Sequence, residues 1–562
     1  MSTDRSHKLH FCNGFWFQTI SSVNLPNWKI HFHYESGLSI KTNIILLGYD
    51  IHKKLLIALG DLAYRSDNEK VTLTFDGLMG GDTMTGFESL DNIRTKTGIL
   101  CFHHQREDLL LLNCAYAQML RDQEIITQGE YKTIKAGLLE SFPKVCEKDM
   151  KDSQGDLHYA FEKALFNTID SKVASKLHVG RSRNDMYFTL YRMSVRKALL
   201  SVMQRSFNLT DVLQTEIKKH LTTVIPYYTY GQPSQPGTWG HYLESILELI
   251  AGDLKRMKRA FELTNQCPMG AAAGIGSSFN LDKEKVSQLL AFDRPIDNTI
   301  LGNSDVNYFL ETIFAFTTLN TTLMRVANDL EFFSSTECGI LNCDEALCGG
   351  SSIMPQKKNA EAVELLRAMT SNWEGYFSNC LNASAVTLFP VHETYYFYER
   401  FWDNTSVLLD NVDLLSCIIT HSQIRKEVAY QRALEGFTAA TGMAEELTKE
   451  IGEPFEITHH IVGGMIKRLM QENRLQTKNM TPELLKEISE TVLGHPLEKS
   501  QEAISELIDP LSSLNAKTTG GTPKPDDTKL LLEKSLKVLN ETRAWYNEMT
   551  ERLTQCKQKL IG

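Results

Sequence analysis

Residues 306–333 read VNYFLETIFAFTTLNTTLMRVANDLEFF, and this stretch decides the fold class. Its apolar residues recur three, four and seven positions apart, which is the spacing that places them on one face of an α-helix. The predicted helix is more than twice as long as the roughly 11–12 residues that are usual in globular proteins. Long helices with one apolar face usually pack side by side in a bundle.

The same spacing recurs along most of the chain from about Asp108 onward. Five further segments show it, namely 109–121, 160–172, 187–216, 241–265 and 361–381. Prolines and glycines separate several of these segments, as they do in 231–237 and 268–276, and such residues are typical of breaks between helices. We therefore predict a mainly α-helical protein with a long central helical bundle.

The first ninety or so residues show a different pattern. Apolar and polar residues alternate in 28–39, and residues 70–75 read KVTLTF. A period of two with Thr, Val and aromatic residues predicts half-buried strands. We predict a small β-rich module at 1–95, for which an extension without a function of its own is the alternative. Three helical regions are predicted to follow it, at 96–225, 226–390 and 391–562.

Composition excludes several classes of protein. The chain has 562 residues, with 59 Lys and Arg against 69 Asp and Glu, so its formal net charge is −10. The acidic balance argues against a nucleic-acid or membrane partner. The sequence has neither an apolar run near the roughly 18–20 residues that span a bilayer nor the apolar region of a signal peptide. Eleven cysteines without paired spacing favour reduced thiols. We expect a cytoplasmic protein.

Three polar, glycine-bearing segments interrupt the predicted helices. Residues 177–185 read LHVGRSRND, and backbone N–H groups at a helix start beside Ser182, Arg183 and Asn184 suit a carboxylate or a phosphate. Residues 225–241 read IPYYTYGQPSQPGTWGH, and residues 348–359 read CGGSSIMPQKKN. The last segment favours a mobile loop that carries a base and a cation. A helix cap and a tight helix–helix connection are the alternatives for the first two segments.

Other patterns give little support for a cofactor site. The glycines of 274–276 lack the third glycine and the preceding strand of a dinucleotide-binding fingerprint. Cys338, Cys343 and Cys348 match no standard zinc spacing, so they are predicted to be buried thiols. The sequence contains neither a P-loop nor the nucleophile elbow of a hydrolase.

Taken together, the three segments resemble the fumarase/aspartase superfamily and, within it, the argininosuccinate lyase family. The superfamily signature stands at 350–359 as GSSIMPQKKN, and the lyase motif GRSRND stands at 180–185. Residues 265–279, which read NQCPMGAAAGIGSSF, and the pair at 304–305 also look lyase-like. Residues 156–162 resemble the DIHxxxE helix start of the lyases. The resemblance runs from about Phe102 to the C-terminus, so the β-rich module is an addition.

This resemblance implies three mostly helical domains whose central helices assemble as a homotetramer. Each active site would draw the three segments from three different subunits. The implied chemistry is β-elimination from a small dicarboxylate substrate, a substituted succinate, with release of fumarate and a leaving group. The resemblance implies neither a metal nor an organic cofactor.

The resemblance also implies roles for individual residues. Ser351 looks like the base that removes the Cβ proton, and a serine needs loop N–H groups and a nearby lysine to stabilise its oxyanion. Lys357 and Asn359 look like the groups that hold the carboxylate as it gains charge. Glu364 resembles the acid that orients the family's catalytic histidine. The remaining contacts to substrate carboxylates are expected from Ser182, Arg183, Asn184 and Thr229.

The chain departs from the family at the leaving-group half of the site. Where the family has THLQ, residues 229–232 read TYGQ, so Tyr230 occupies the position of the catalytic histidine. A tyrosine, with a pKa of about 10, can donate a hydrogen bond or a proton but cannot become a cation at neutral pH. Glu393, Tyr398 and Phe401 stand where the family holds the arginine moiety.

These matches and departures lead to a functional prediction. We predict a carbon–nitrogen lyase that acts on a substituted, N-substituted aspartate-like succinate other than argininosuccinate. A divergent argininosuccinate lyase of arginine biosynthesis is one alternative. A catalytically inactive tetramer with a structural or binding role is the other.

Overall fold

The computed structural model describes residues 86–389, 393–474 and 476–562, together with five short strands before residue 86. The chain divides into two compact units. One comprises Met1–Ile99 and Cys146–Leu157, and the other comprises Leu100–Val145 and His158–Gly562. The division of the chain into four regions at residues 95, 225 and 390 stays a prediction.

The strands of the first unit are antiparallel. Strand β1 (Leu9–Cys12) pairs with β2 (Phe15–Gln18). Strand β3 (Ile30–His33) lies between β4 (Ser39–Thr42) and β5 (Thr72–Phe75) in a three-stranded sheet. Strands β3 and β5 fall within the segments that the alternation predicts. Most of the predicted module at 1–95 lies outside the described residues, so the module itself stays a prediction.

Helices make up most of the described chain. In chain order the α-helices are α1 (Gly86–Asp122), α2 (Gln128–Ser141), α3 (Glu147–Asp152), α4 (Leu157–Phe166), α5 (Ser171–Ser175), α6 (Arg183–Lys219), α7 (Trp239–Thr264), α8 (Lys283–Leu289), α9 (Thr299–Gly302), α10 (Asn307–Ser334), α11 (Glu361–Met369), α12 (Trp373–Ser384), α13 (Glu393–His421), α14 (Lys426–Glu435), α15 (Ala440–Ile451), α16 (Phe455–Gln471), α17 (Pro482–Leu493), α18 (Gln501–Leu507), α19 (Pro510–Asn515) and α20 (Pro525–Ile561).

Short 3-10 helices and strands connect the α-helices. The 3-10 helices are Phe142–Lys144, Lys176–His178, Glu345–Leu347, Thr370–Asn372 and Thr477–Asn479. The strands are β6 (Val224–Thr229), β7 (Gln232–Thr238), β8 (Gln266–Cys267), β9 (Arg294–Pro295), β10 (Leu341–Asn342), β11 (Gly349–Gly350), β12 (Lys358–Asn359) and β13 (Gln423–Ile424). They form two-stranded pairs, all antiparallel except β8 with β9.

Five long helices form the central bundle: α6, α7 and α10 lie where the periodicity predicts helices, whereas α13 and α20 lie outside the predicted segments. Helix α7 packs against α6, α10 and α20, and α6 also packs against α13. The apolar faces meet in the bundle, where Leu247 of α7 and Phe309, Ile313 and Phe316 of α10 are completely buried. Burial of each such side chain contributes about 1.5–3 kcal/mol, so the apolar stripes read from the sequence hold the bundle together. The predicted mainly α-helical fold is confirmed.

Two predicted helices are interrupted in the structure. The segment 160–172 contains the end of α4 and the start of α5, because the Asp170 carboxylate accepts hydrogen bonds from the Lys172 and Val173 N–H groups and caps a new helix. The segment 361–381 breaks at Thr370–Asn372, where the Thr370 carbonyl accepts a hydrogen bond from the Asn320 amide. The apolar periodicity continues across both breaks, so it predicts one helix where the structure has two. Side-chain hydrogen bonds to the backbone separate the two helices.

Two further predictions concern the cysteines and the absence of membrane-spanning helices. Cys338 and Cys343 are buried thiols, as the spacing suggested, whereas Cys348 is partly exposed. None of the helices in the described ranges is long and apolar enough to cross a lipid bilayer.

Candidate active site

The first polar segment forms the start of α6. Ser182 is the N-cap, and its hydroxyl accepts a hydrogen bond from the Asn184 N–H at 3.3 Å. The Ser182 N–H donates in turn to Asp185 Oδ1 at 2.9 Å, which completes a capping box. Arg183 is exposed, and Ser182 and Asn184 are half-buried. The segment therefore presents a hydroxyl, an amide and a guanidinium at a helix N-terminus, which favours a bound anion.

Two residues of the same segment serve as its scaffold. The buried Asp185 carboxylate accepts hydrogen bonds from the Gly270 N–H at 3.2 Å and the Ala272 N–H at 2.9 Å. Burial raises the pKa of Asp185 to about 6, although these backbone donors act in the opposite direction. The buried Arg181 donates to Asn113 Oδ1 at 2.7 Å. The segment is thus anchored to the loop around residue 270 and to α1.

The second segment is a β-hairpin, so a simple helix–helix connection is the wrong interpretation. Strands β6 and β7 pair up to Thr229 and Gln232, and a bulge lies between Pro226 and Tyr228. Both turn residues, Tyr230 and Gly231, have positive φ angles of 53° and 71°, which is the conformation of a type I′ turn. A tyrosine is an unusual residue at such a position.

The hairpin carries its tip residues into solvent. The side chain of Tyr230 is fully exposed, and Thr229 beside it is exposed as well. The stem is anchored by Tyr228, whose ring packs edge-on against Phe332 with 4.8 Å between ring centroids. A rigid stem therefore presents the tyrosine at the position where the sequence resemblance placed a catalytic histidine.

The third segment is a loop closed by the pairing of β11 with β12. Ser351 follows β11 directly, and its Oγ accepts hydrogen bonds from the Met354 N–H at 3.0 Å and the Ile353 N–H at 3.4 Å. These are the loop donors that a serine oxyanion needs. Residues 352–358 are exposed, so the loop projects from the body of the chain.

The two lysines of this loop are placed differently. Lys358 Nζ donates to the Cys343 carbonyl at 2.9 Å and ties the base of the loop to the preceding turn. Lys357 is exposed at the loop's far end, where its N–H donates to the Met354 carbonyl at 3.1 Å. The structure therefore gives Lys358 a supporting contact and leaves the Lys357 side chain on the projecting part of the loop.

The remaining predicted site residues lie just before α11, in its first turn, and on α13. Asn359 is half-buried on β12, and Glu364 is exposed in the first turn of α11. Glu393 and Tyr398 belong to α13, but their side chains lie outside the described part of the structure. Phe401 is completely buried and packs on Phe309 and Phe316. Its predicted place in the leaving-group pocket is therefore wrong, because it belongs to the core of the bundle.

The structure brings together the residues within each segment. The hydrogen bonds described above connect Ser182 to Asp185 and Ser351 to Met354. The pairing of Thr229 with Gln232 holds the turn that carries Tyr230. In the single chain, Arg183, Tyr230 and Lys357 all face solvent.

Three further features are not predicted by the sequence. Asp185 is a buried anchor, which its position three residues after Ser182 could have indicated, since this is the capping-box spacing. Arg192 forms an ion pair with Asp305 at 2.6 Å, and nothing local in the sequence signals it. His158, Glu162 and His178 cluster together; the first two are four residues apart on one helix, which was a usable signal.

Two family models match the chain. A model described as lyase matches residues 89–375, just over half of the chain, and a model described as argininosuccinate lyase C-terminal matches residues 437–515. The chain belongs to this lyase family of the fumarase/aspartase superfamily. The predicted superfamily is thereby confirmed, and the first match begins at residue 89, within the last residues of the region 1–95 in which the β-rich module was predicted.

Individual relatives agree with the family models. The chain is 29% identical over 429 residues to argininosuccinate lyase of Methanosarcina mazei, which covers 76% of this chain and 86% of the relative. It is 30% identical over 422 residues to argininosuccinate lyase of Methanosarcina acetivorans, with coverage of 74% and 84%. A solved structure of an EDDS lyase variant with bound fumarate is 27% identical, with a TM-score of 0.74 and coverage of 80% and 89%. The lyase is an argininosuccinate lyase-like carbon–nitrogen lyase, as predicted.

Proposed function

We propose that this lyase catalyses β-elimination from an N-substituted aspartate-like succinate and releases fumarate and a nitrogen leaving group other than arginine. The observation that carries the proposal is Tyr230, fully exposed at the tip of the β6–β7 hairpin. By resemblance, this is where the family places its catalytic histidine. The other residues that the resemblance assigns to the elimination are present in the sequence, so we propose that the substitution affects the leaving group rather than the reaction class.

The proposed base is Ser351. As an alkoxide it would take the Cβ proton, and the electrons of that C–H bond would form the C=C bond of fumarate. Its Oγ already accepts hydrogen bonds from the Met354 and Ile353 N–H groups, and a lysine ammonium on the same loop adds positive charge. Preorganised donors of this kind stabilise an oxyanion without further rearrangement. Lys357 is the lysine that we assign to this role.

The carboxylates of the substrate need positive and hydrogen-bonding groups. Ser182, Arg183 and Asn184 supply them at the N-terminus of α6, where the helix dipole also favours an anion. Thr229 on the hairpin is proposed to contact a second carboxylate. Asn359 on β12 is proposed to join Lys357 in holding the carboxylate that gains charge after Cβ deprotonation. The EDDS lyase variant with bound fumarate shows that a similar fold accommodates this dicarboxylate.

The leaving nitrogen takes the electron pair of the broken C–N bond and needs a proton. An imidazolium can deliver that proton near neutral pH, whereas a phenol is a much weaker acid. Tyr230, positioned by Glu364, therefore suits a leaving group that departs with less protonation than a guanidine requires. Glu393 and Tyr398 are proposed to contact that group in place of the family's arginine-binding residues.

We propose that a complete active site requires more than one chain. Arg183, Tyr230 and Lys357, one from each segment, face solvent in the single chain. The bundle helices also expose large apolar side chains, among them Leu249, Phe314, Leu365 and Leu381. Exposed apolar patches on a bundle mark association surfaces. We therefore propose a homotetramer that forms through 241–265, 306–333 and 361–381 and shares its active sites between subunits.

The substrate proposal is tested by following the ultraviolet absorbance of fumarate. Wild type and Tyr230→His are each incubated with argininosuccinate and with N-substituted aspartates of increasing leaving ability. We expect wild type to prefer the better leaving groups, and Tyr230→His to shift the preference towards argininosuccinate. A wild-type preference for argininosuccinate that Tyr230→His does not alter would establish the divergent argininosuccinate lyase. Absence of fumarate with every substrate would support the inactive tetramer.

The shared site is tested by mixing two inactive variants. Ser351→Ala and Asn184→Ala each damage a different segment, so hybrid assemblies contain some sites in which all three segments are intact. Co-refolding of the two variants is expected to restore part of the activity, and light scattering is expected to give the mass of four chains. A monomer, or hybrids without activity, would contradict a site shared between subunits.

A further inference from the structure

We propose that His158, Glu162 and His178 form a binding site for a transition-metal ion, with Zn²⁺ as the ion that their chemistry favours. The three ligand atoms lie within 4.8 Å of one another. Glu162 Oε1 is 3.8 Å from His158 Nε2 and 3.7 Å from His178 Nδ1. None of the three residues has a role in the proposed elimination, although His178 lies in the first polar segment, four residues before Ser182. His158 and Glu162 belong to the motif at 156–162 that resembles the lyases, but that resemblance implies no metal.

The backbone explains why these three residues meet. His158 and Glu162 are four residues apart on α4, so their side chains share one face of the helix. His178 ends the 3-10 helix Lys176–His178, which follows α5 and returns the chain towards that face. The imidazole rings of His158 and His178 lie with centroids 5.5 Å apart. Two ligands from one helical turn and a third from a following turn are a common source of three-residue zinc sites.

The two distances to Glu162 need only a small contraction, whereas the two imidazole nitrogens lie within 4.8 Å of each other and must approach by up to about 1.5 Å. Ligand atoms bound to Zn²⁺ at about 2.0–2.1 Å in a tetrahedron lie about 3.3 Å from one another. The carboxylate-to-imidazole distances of 3.7 and 3.8 Å exceed that value by about half an ångström, which side-chain rotation can supply. Three protein ligands would leave the fourth tetrahedral position for water or another ligand, as in zinc sites with an open position.

There is also room beside the cluster. A cavity with about 10 Å³ of open space is lined by Asn113, His158, Glu162 and Arg181 among other residues. This space is at the lower limit for one water molecule, so a bound ion with its water requires movement of the His158 and Glu162 side chains that line the cavity. His178 is half-exposed, with 48% of its side chain accessible, so the cluster reaches the protein surface.

The charges around the cluster select the type of metal. Glu162 offers one carboxylate, while the Arg181 guanidinium lines the same cavity and Arg183 lies close enough to interact with His178. Mg²⁺ and Ca²⁺ prefer several oxygen ligands, and the two arginines disfavour a cation held by charge alone. Imidazole nitrogens bind Zn²⁺ by coordination, so a nitrogen-rich site can retain it against these charges.

The proposal is tested by isothermal titration of the untagged full chain with Zn²⁺, after removal of metals by dialysis against a chelator. We expect one Zn²⁺ per chain. His178→Ala removes the most exposed ligand, and Glu162→Gln keeps the shape of the side chain, so both variants should fold. Each is expected to weaken Zn²⁺ binding by about 100-fold or more, since even outer partners of a metal site contribute about 10–100-fold. His460→Ala is the matched control, because His460 is an exposed histidine on α16.

A second readout identifies the ligands directly. Co²⁺ bound in a tetrahedral site of two imidazoles and a carboxylate is expected to give visible absorption bands, which His178→Ala should abolish and His460→Ala should preserve. Circular dichroism checks that each variant has kept its helix content. Saturable binding that survives in both ligand variants, or no stoichiometric binding by a folded wild-type protein, would overturn the proposal. Neither result depends on the identity of the lyase's substrate.

Discussion

Arg192 of α6 and Asp305, which precedes α10, form an ion pair with 2.6 Å between Nη2 and Oδ2. The Arg192 guanidinium also donates to the carbonyls of Leu263 and Thr264 at 3.0 and 3.2 Å and lies over the ring of Tyr308. Arg192 is almost completely buried, whereas Asp305 is partly exposed. The pair therefore joins the end of α7 and the start of α10 to the helix that carries the first segment of the site.

Arg192→Lys is expected to lower stability substantially. A lysine has a single ammonium group in place of the planar guanidinium of arginine. It cannot reach the Asp305 carboxylate and both backbone carbonyls at once, so the carbonyls lose their hydrogen-bond donor. Breaking a fully buried pair costs about 3–5 kcal/mol, and a smaller loss is expected here because Asp305 is partly exposed and lysine keeps the positive charge. Thermal melting followed by circular dichroism measures the effect. Arg205→Lys is the control, because Arg205 pairs with Asp413 at 3.0 Å on the surface, where about 0–1 kcal/mol is expected. Equal changes in the two variants would contradict the structural role of Arg192.

The buried carboxyl of Asp185 predicts a dependence of stability on pH. Its folded-state pKa is raised from 3.8 to about 6, so the folded state holds a proton more tightly than the unfolded state. The stability that this group contributes is fully present below pH 3.8 and is lost as the pH rises through 6. We expect Asp185→Asn, which does not titrate, to show a flatter melting profile between those pH values. Profiles of equal slope for wild type and Asp185→Asn would argue against this assignment.

Ser351→Ala is expected to lower the turnover number by about three orders of magnitude or more while the chain still assembles. The variant removes the proposed base, and catalysis that remains depends on binding and electrostatics alone. Fumarate formation and light scattering measure the two properties. Ser352→Ala is the matched control, since Ser352 is the exposed next residue in the loop. Turnover close to wild type in an assembled Ser351→Ala variant would refute the assignment of the base.

The two adjacent lysines of the loop are expected to behave differently. Lys357→Met should lower kcat/KM by about 100-fold or more, because it removes the charge that we place beside the carboxylate and the Ser351 oxyanion. Lys358→Met removes the hydrogen bond to the Cys343 carbonyl and should mainly lower thermal stability, by about 1 kcal/mol. Steady-state kinetics and melting of both variants give the comparison. If Lys358→Met instead lowered kcat/KM and Lys357→Met mainly lowered thermal stability, the roles assigned to the two lysines would have to be exchanged.

Local features of the fold and of the site could be predicted from the sequence. The bundle helices follow from apolar spacing, since this spacing places residues on one face of a helix whatever surrounds it. The capping residue Ser182 and the loop that carries Ser351 follow from short motifs. The boundaries within 160–172 and 361–381 could not be predicted, because apolar spacing continues where Asp170 and Asn320 redirect the hydrogen bonds.

The sequence by itself determined the mainly helical class, the three polar segments and the substitution of Tyr230 in the second segment. Only the tertiary structure decided which of these residues are anchors and which are exposed. Asp185 meets the N–H groups of Gly270 and Ala272, and Phe401 enters the core beside Phe316. The physical reason is that periodicity and capping depend on neighbours in the chain, whereas burial and charge pairing depend on residues that only the packing of distant helices brings into contact.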